Sequence, residues 1–175
     1  ALDGDGDRLA MADENGRLID GNAILAVVGN DMLERNALPG KTLVTNVMAN
    51  GGLEEALAAR GGRVLRCDVG DRNVVEAMRR ENLTVGGEPS GHIVMLDYNP
   101  TGDAMIAALQ TLAIVIRRDQ PLSVVAQVYR EMPECHQRVP CRNGRAPESV
   151  LLEEIIRDAE NQIGGSGRVV VRMSG

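Results

Sequence analysis

The sequence contains neither phenylalanine nor tryptophan, and its whole aromatic complement is Tyr98 and Tyr129. Leu, Val, Ile, Met and Ala must therefore fill any core, and no ladder of rings is available to stack nucleobases. Positive charge is also short: 19 Lys and Arg stand against 25 Asp and Glu, a net charge of −6. No basic stripe is long enough to neutralise several phosphates, which argues against a nucleic-acid partner and leaves small anions at local basic points. Cys67, Cys135 and Cys141 are odd in number and widely spaced. They suggest neither a disulfide framework nor a paired-cysteine metal clasp, so a reducing, cytoplasmic setting is expected. There is no charged segment followed by an apolar run of the secretory kind. The longest apolar stretch, Ala104 to Ile116, is broken by Gln110 and Thr111 and is too short to span a bilayer. It reads as a buried helix, and no membrane partner is expected.

An initial Met is lacking too, the first strong motif sits at residue 3 with no strand before it, and "GRVVVRMSG" stops as a strand reaches a turn. Both ends read as cut, and the expectation is a fragment of a longer protein. The 175 residues, 43% hydrophobic, suffice for one domain with pieces of its neighbours.

What is present alternates. "LAMAD" runs into Asn15-Gly16 as a strand entering a tight turn. Ile24, Leu25, Val28, Met32 and Leu33 repeat at helical spacing over residues 21 to 36, and Pro39-Gly40 ends that segment. "TLVTNV" is β-rich, Gly51-Gly52 opens a helix through Ala59, "RVLRCDV" is the next strand and "DRNVVEAMRR" the next helix. A short strand "LTV" then meets Gly86-Gly87. Strand, glycine turn and helix in alternation predict an α/β fold, a layered mixed sheet flanked by helices. From Thr101 a longer helix is expected to bury Met105, Leu109, Leu112 and Ile116, and "PLSVVAQVYREM" reads as a second. Residues 133 to 147 hold three prolines and read as a connection with an extended strand "HQRVPCR". Pro147 fits the first position of a helix whose apolar face is Val150, Leu151, Ile155 and Ile156.

Four stretches carry chemistry. In "DGDGDR" the carboxylates of Asp3, Asp5 and Asp7 are spaced to share one strand face or to curl around one point, and they repel unless a cation lies between them. Hard oxygen donors without His or Cys favour Mg²⁺ or Ca²⁺. A solvated acidic turn is the bland alternative. An EF-hand loop counted from Asp3 has Glu14 at its twelfth position but Arg8 where the sharp turn needs glycine, and no helix precedes it. In "GGEPSGH" the residues Glu88, Ser90 and His92 alternate with Pro89 and Gly91, so an extended loop would point an acceptor, a hydroxyl and an imidazole one way, as sugar hydroxyls require. The alternative is a polar turn between two strands. In "VGDR", Asp71 is placed to cap a helix and Arg72 to oppose its dipole, a position that makes sense if a ligand uses it. In "RMSG", Arg172, Ser174 and Gly175 begin an anion-binding turn.

In this order and spacing the four motifs resemble the α-D-phosphohexomutase family, over the whole chain. "DGDGDRLAMADENG", "GGEPSGH" and "TGDAMIAALQTL" resemble most the bacterial branch that acts on glucosamine phosphates, which usually has Gln where Pro89 stands. The resemblance implies four domains around a cleft. Residues 1–19 would end the second domain with a Mg²⁺ loop of Asp3, Asp5 and Asp7, and Arg8 would lie beside the metal near a phosphoserine. Residues 20–130 would form the third domain, with Glu88, Ser90 and His92 on the sugar and Arg72 on its phosphate. Residues 131–175 would be a linker and the start of the fourth domain, with Arg172, Ser174 and Gly175 opening a phosphate loop. It also implies interconversion of glucosamine 6-phosphate and glucosamine 1-phosphate through a bisphosphorylated intermediate, feeding cell-wall precursor synthesis, and a homodimer as the plausible state of the full-length protein. No serine loop of the T-A-S-H-N-P kind occurs in these residues, so they alone are expected to be inactive. Glucose or mannose phosphates in the same family, or a non-catalytic metal- or sugar-binding module, are the alternatives.

Overall fold

The computed structural model describes residues 1–140, 149–164 and 167–172. Two compact units divide the chain, Ala1–Met132 and Pro133–Gly175.

The first unit opens with a two-stranded ribbon, β1 (Met11–Ala12) against β2 (Leu18–Ile19), closed by a turn at Asn15-Gly16. The helix α1 (Gly21–Glu34) starts where the Asp20 carboxylate accepts the Ala23 amide at 2.8 Å. It is buried nearly all round, so it serves as an inner layer and not as an amphipathic cover. Its one buried acid, Asp31, is held by Arg35 and Arg117 at 2.8 Å each. Then follow β3 (Thr42–Asn46), α2 (Gly52–Ala58), β4 (Arg63–Cys67), α3 (Asp71–Arg80), β5 (Val85–Gly87), β6 (Ile93–Met95), α4 (Ala104–Arg118) and the single turn α5 (Leu122–Val125).

The sheet runs in the order β4-β3-β5-β6. β3 is parallel to β4, from Thr42 opposite Arg63 to Asn46 opposite Cys67, and parallel to β5 with Thr45 opposite Gly87. β6 returns antiparallel beside β5. β3 is buried along its whole length, which is why it reads as an unbroken β-rich run without polar alternation. Leu43, Val85, Ile93 and Met95 pack with α1, α2 and α4, while Val44 and Val94 pack with Val74 and Met78 of α3. Helices thus cover both faces. The chain leaves β3 through α2 on one side and leaves β4 through α3 on the other, so the connections diverge at the carboxyl ends of β3 and β4, an edge of the kind where open α/β sheets bind ligands.

Several expectations shift. The face of α4 is reversed: Met105, Leu109, Leu112 and Ile116 are 53, 56, 45 and 77% exposed, and Ala104, Ala107, Thr111 and Ile114 are buried. The helix is apolar on both sides, and the small residues let it approach α1 closely, which large side chains would prevent. β5 contains Gly86 and Gly87 instead of stopping before them. The helix after Pro121 lasts one α turn and one 3₁₀ turn, to Val128. Asp71 lies one residue inside α3, whose cap is Gly70 at φ 130°, and its carboxylate accepts the Arg72 amide.

The second unit contains α6 (Ser149–Gln162). Residues 133–140 and 167–172 form no strand, so neither "HQRVPCR" nor "GRVVVR" is extended into a sheet in its described part; a strand needs a partner strand to hold it. Val150, Leu151 and Ile155 are exposed and Ile156 is half-buried, because the described residues of this unit supply no second layer. Pro147 lies outside the described residues. Among the described residues, no helix is long and apolar enough to cross a membrane.

Candidate active site

Residues 1–10 form a narrow hairpin. Ala10 donates to the Ala1 carbonyl at 3.0 Å, Leu2 faces Leu9, and Asp3 donates to the Arg8 carbonyl at 3.3 Å. The tip turns through Gly6 at φ 73°. There Asp3 faces inward: its Oδ1 accepts the amides of Gly6 at 3.0 Å and Arg8 at 3.2 Å, and its Oδ2 lies 3.4 Å from Arg8 Nε. Desolvation pushes the Asp3 carboxyl upward, but the hydrogen bonds, that from the Arg8 amide foremost, outweigh it and hold Asp3 below the ordinary carboxylate value.

The second arm of this hairpin adds to the turn between β5 and β6. Leu9 donates to the Gly91 carbonyl at 3.0 Å, and Arg8 stands opposite His92 in antiparallel register. Gly91 has φ 89°, and a Cβ there would overlap the Leu9 carbonyl, so only glycine lets the two strands meet. The structure therefore brings the first two motifs together. "GGEPSGH" takes the form of a polar turn between strands, in which Glu88 and Ser90 stay side by side and His92 points away from them.

Glu88 turns toward the carboxyl edge of the sheet. Its Oε1 accepts Asn46 Nδ2 at 2.7 Å and the Gly70 amide at 3.0 Å, while its Oε2 is 3.5 Å from the exposed Ser90 hydroxyl. One carboxylate thus ties the ends of β3 and β5 to the loop that starts α3, and presents its second oxygen beside the Ser90 hydroxyl. Asn46 is anchored in turn: its Oδ1 accepts the Met48 amide at 2.9 Å, and its carbonyl accepts Arg66 Nη1 at 3.0 Å. Cys67, at the end of β4, has its thiol pushed up by burial first and then by the negative charges of Glu88 and Asp68.

His92 points the other way. It is 3% exposed, lies beneath the acidic loop, and its Nε2 is 3.7 Å from Asp7 Oδ2. Asp7 Oδ1 and His92 Nδ1 are both buried without a hydrogen-bond partner. Arg72 is exposed on the first turn of α3, where it pairs with Glu76 at 2.7 Å and is thereby held more firmly protonated. Arg172 is exposed in the second unit, and Ser174 and Gly175 lie outside the described residues.

The donor chemistry of Asp3, Asp5 and Asp7 suits a hard divalent cation, but their placement does not: among the described residues no three His, Cys, Asp or Glu side chains lie close enough to hold a metal ion. Asp3 is committed to the amides of its own hairpin.

Asn46 and Gly70 escaped sequence reasoning. The available signal was an amide side chain closing the β-rich run of β3, at the edge where parallel sheets place ligands.

Residues 20–132 match the model of the phosphoglucomutase/phosphomannomutase family, alpha/beta/alpha domain III. A curated phosphoglucosamine mutase from Anaeromyxobacter dehalogenans is 48% identical over the whole chain, which spans 38% of that relative's length. A phosphoglucomutase/phosphomannomutase family protein from Burkholderia thailandensis superposes with a TM-score of 0.64 at 26% identity, over 74% of this chain and 28% of that one. The N-acetylphosphoglucosamine mutase of Aspergillus fumigatus, solved with GlcNAc-6P and magnesium, gives 0.61 at 23% identity, over 76% of this chain and 35% of its own, and so shares the fold.

Proposed function

The chain belongs to the phosphoglucomutase/phosphomannomutase family, and from that premise we propose that it is the sugar-reading part of a phosphosugar mutase that interconverts glucosamine 6-phosphate and glucosamine 1-phosphate. The choice of glucosamine rests on the 48% identity to a phosphoglucosamine mutase. The observation that carries the reading is the junction of the two loops: the acidic hairpin is hydrogen-bonded to the very turn whose Glu88 is fixed at the carboxyl edge of the sheet.

In this reading Glu88 Oε2 and the Ser90 hydroxyl bind sugar hydroxyls. Glu88 is presented rigidly because its other oxygen is held from two elements. Arg72 takes the substrate phosphate, as do Arg172, Ser174 and Gly175 in the second unit. Arg8 supplies positive charge next to the acidic loop, where phosphoryl transfer needs cations to spread the charge of the transferring group. The phosphoryl donor is a serine that these residues do not contain, and a bisphosphorylated sugar connects the two half-reactions. Mg²⁺ is the proposed cofactor of the whole enzyme, with Asp3, Asp5 and Asp7 as its ligands. In the arrangement described these three do not fit an ion, and no step is derived through it. A cytoplasmic enzyme, dimeric as a whole protein, completes the reading.

Titration of glucosamine 6-phosphate into the 175-residue chain, followed by amide NMR, tests it. Shifts at Gly70, Glu88 and Ser90 that vanish in Glu88→Ala support sugar reading, and unmoved amides at saturating millimolar ligand refute it. The chain alone is expected to show no mutase turnover in a coupled assay, and turnover would overturn the placement of the donor serine elsewhere.

A further inference from the structure

We infer that the N-terminus of α1 is the seat of the sugar-reading turn and that Gly21, its first residue, is a positioning residue for Glu88 and Ser90. Gly21 is buried and helical, so a side chain there would not strain its own backbone. What forbids one is the turn between β5 and β6. A Cβ on Gly21 would overlap the Glu88 carbonyl oxygen and would lie 2.7 Å from the Pro89 carbonyl oxygen and 2.8 Å from the Gly91 nitrogen. All three are backbone atoms, which cannot rotate aside as the tip of a side chain can. The Gly21 amide, one of the donors that a helix start leaves without an intrahelical partner, is donated to the Pro89 carbonyl at 3.3 Å. The turn therefore rests on the helix end along its length, from Glu88 to Gly91.

Of the two partners, the helix end is the rigid one. Asp20 Oδ1 accepts the Ala23 amide at 2.8 Å, and Asp20 Oδ2 accepts Asn22 Nδ2 at 3.1 Å. Asn22 is buried, and its Oδ1 accepts the Asn50 amide at 3.1 Å; Asn50 Oδ1 in turn accepts the amide of Gly52, where α2 begins. Both oxygens of Asp20 and both ends of the Asn22 amide are thus engaged, and the next residues, Ala23, Ile24 and Leu25, lie in the core. The turn has no such backing on its outer side, where Ser90 is exposed and Glu88 and Pro89 are half-buried. A side chain on Gly21 would therefore displace the turn and not the helix. Glu88 would then move off Asn46 and Gly70, which fix its Oε1, and Ser90 would move with it. The significance of the seat rests on the reading of Glu88 and Ser90 as the groups that bind sugar hydroxyls, while the seat itself can be measured without ligand.

The test compares Gly21→Ala with Gly29→Ala in the full chain. Both add one methyl group to α1, but a Cβ at position 29 meets only the movable side-chain ends of Leu43 and Leu57. Two quantities are read. The first is the set of amide residual dipolar couplings of Glu88, Ser90 and Gly91 without ligand, which report the orientation of each N–H bond and not its electronic surroundings. The second is the Kd for glucosamine 6-phosphate. Gly21→Ala is expected to reorient the three amides and to weaken binding about tenfold, the worth of one hydrogen bond to a charged group. Gly29→Ala is expected to leave both quantities as in wild type. Unmoved couplings in Gly21→Ala overturn the inference, and so does a reoriented turn with unchanged affinity, or an equal change in Gly29→Ala. If the wild-type chain binds no glucosamine 6-phosphate, the proposed function fails, and the couplings alone decide for or against the seat. If Gly21→Ala does not fold, Asn22→Ala loosens the seat without adding bulk: couplings averaged toward zero at the turn support the inference, and wild-type values overturn it.

Discussion

Ile114 and Ile116 are the same residue two positions apart on α4, yet one is 2% exposed and the other 77%. Truncating each to alanine separates two packings of this helix, the observed one and the one that spacing of its large apolar residues suggests. Ile114→Ala withdraws three carbons from the interior at about 0.8 kcal/mol each. It also leaves a void that Val28, Val85 and Met95, which line the same cavity, fill only in part. The sum is about 3 kcal/mol, within the range of about 2 to 5 kcal/mol for such truncations, less a few tenths for the better helix propensity of alanine. Ile116→Ala removes carbons already in water, so its effect stays within about 0.5 kcal/mol. With no tryptophan in the chain, far-UV circular dichroism is the suitable probe. The expected outcome is a midpoint lowered by roughly 6 to 12 °C for Ile114→Ala and nearly unchanged for Ile116→Ala. A cost for Ile116→Ala equal to or above that of Ile114→Ala would show that α4 presents its other face to the core.

Glu88→Gln keeps the acceptor for Asn46 and Gly70 but removes a charge that holds the Cys67 thiol up, so alkylation of Cys67 at neutral pH, measured in a Cys135→Ser, Cys141→Ser background, should become a few-fold faster. An unchanged rate would mean that Glu88 does not face the thiol. The Asp103 carboxyl is held below its ordinary value of 3.8, chiefly by the Ile106 amide and then by Asn99. A depressed carboxylate stabilises the folded state above its unfolded pKa, and that contribution is lost as pH falls through the folded value. Asp103→Asn, which can still cap α4, should therefore flatten the melting temperature against pH below about 4 while leaving the neutral value close to wild type; parallel acid limbs for the two proteins would refute this. Ser123 donates to Glu14 and thereby lowers that carboxyl below its ordinary value. Ser123→Ala should raise the Glu14 pKa in carboxylate NMR titration, and an unmoved value would place the β1–β2 turn away from α5.

Most elements of the first unit were legible because they are marked locally: glycine pairs at turns, helical spacing of apolar residues over 21 to 36, a β-rich run for the strand buried on both faces. The direction of α4 was not, since periodicity identifies two apolar stripes on that helix and says nothing about which is covered. The core chose the side with Ala104, Ala107 and Thr111, where small residues permit close approach to α1. The same limit applies to the site. "DGDGDR" and "GGEPSGH" announce themselves by composition, but alternation along a loop implies a common direction for Glu88 and His92 only if the loop is straight. Here the chain reverses between them, with the Gly91 amide bonded back to the Glu88 carbonyl at 3.0 Å. Glu88 is thereby delivered to Asn46 at the sheet edge, and His92 to the underside of the acidic hairpin. Asn46 and Gly70 acquire their roles only through Glu88, 42 and 18 residues away in the chain, a relation that no local pattern encodes. What makes the two motifs one site is thus neither motif but the turn at Gly91, whose missing Cβ lets Leu9 dock.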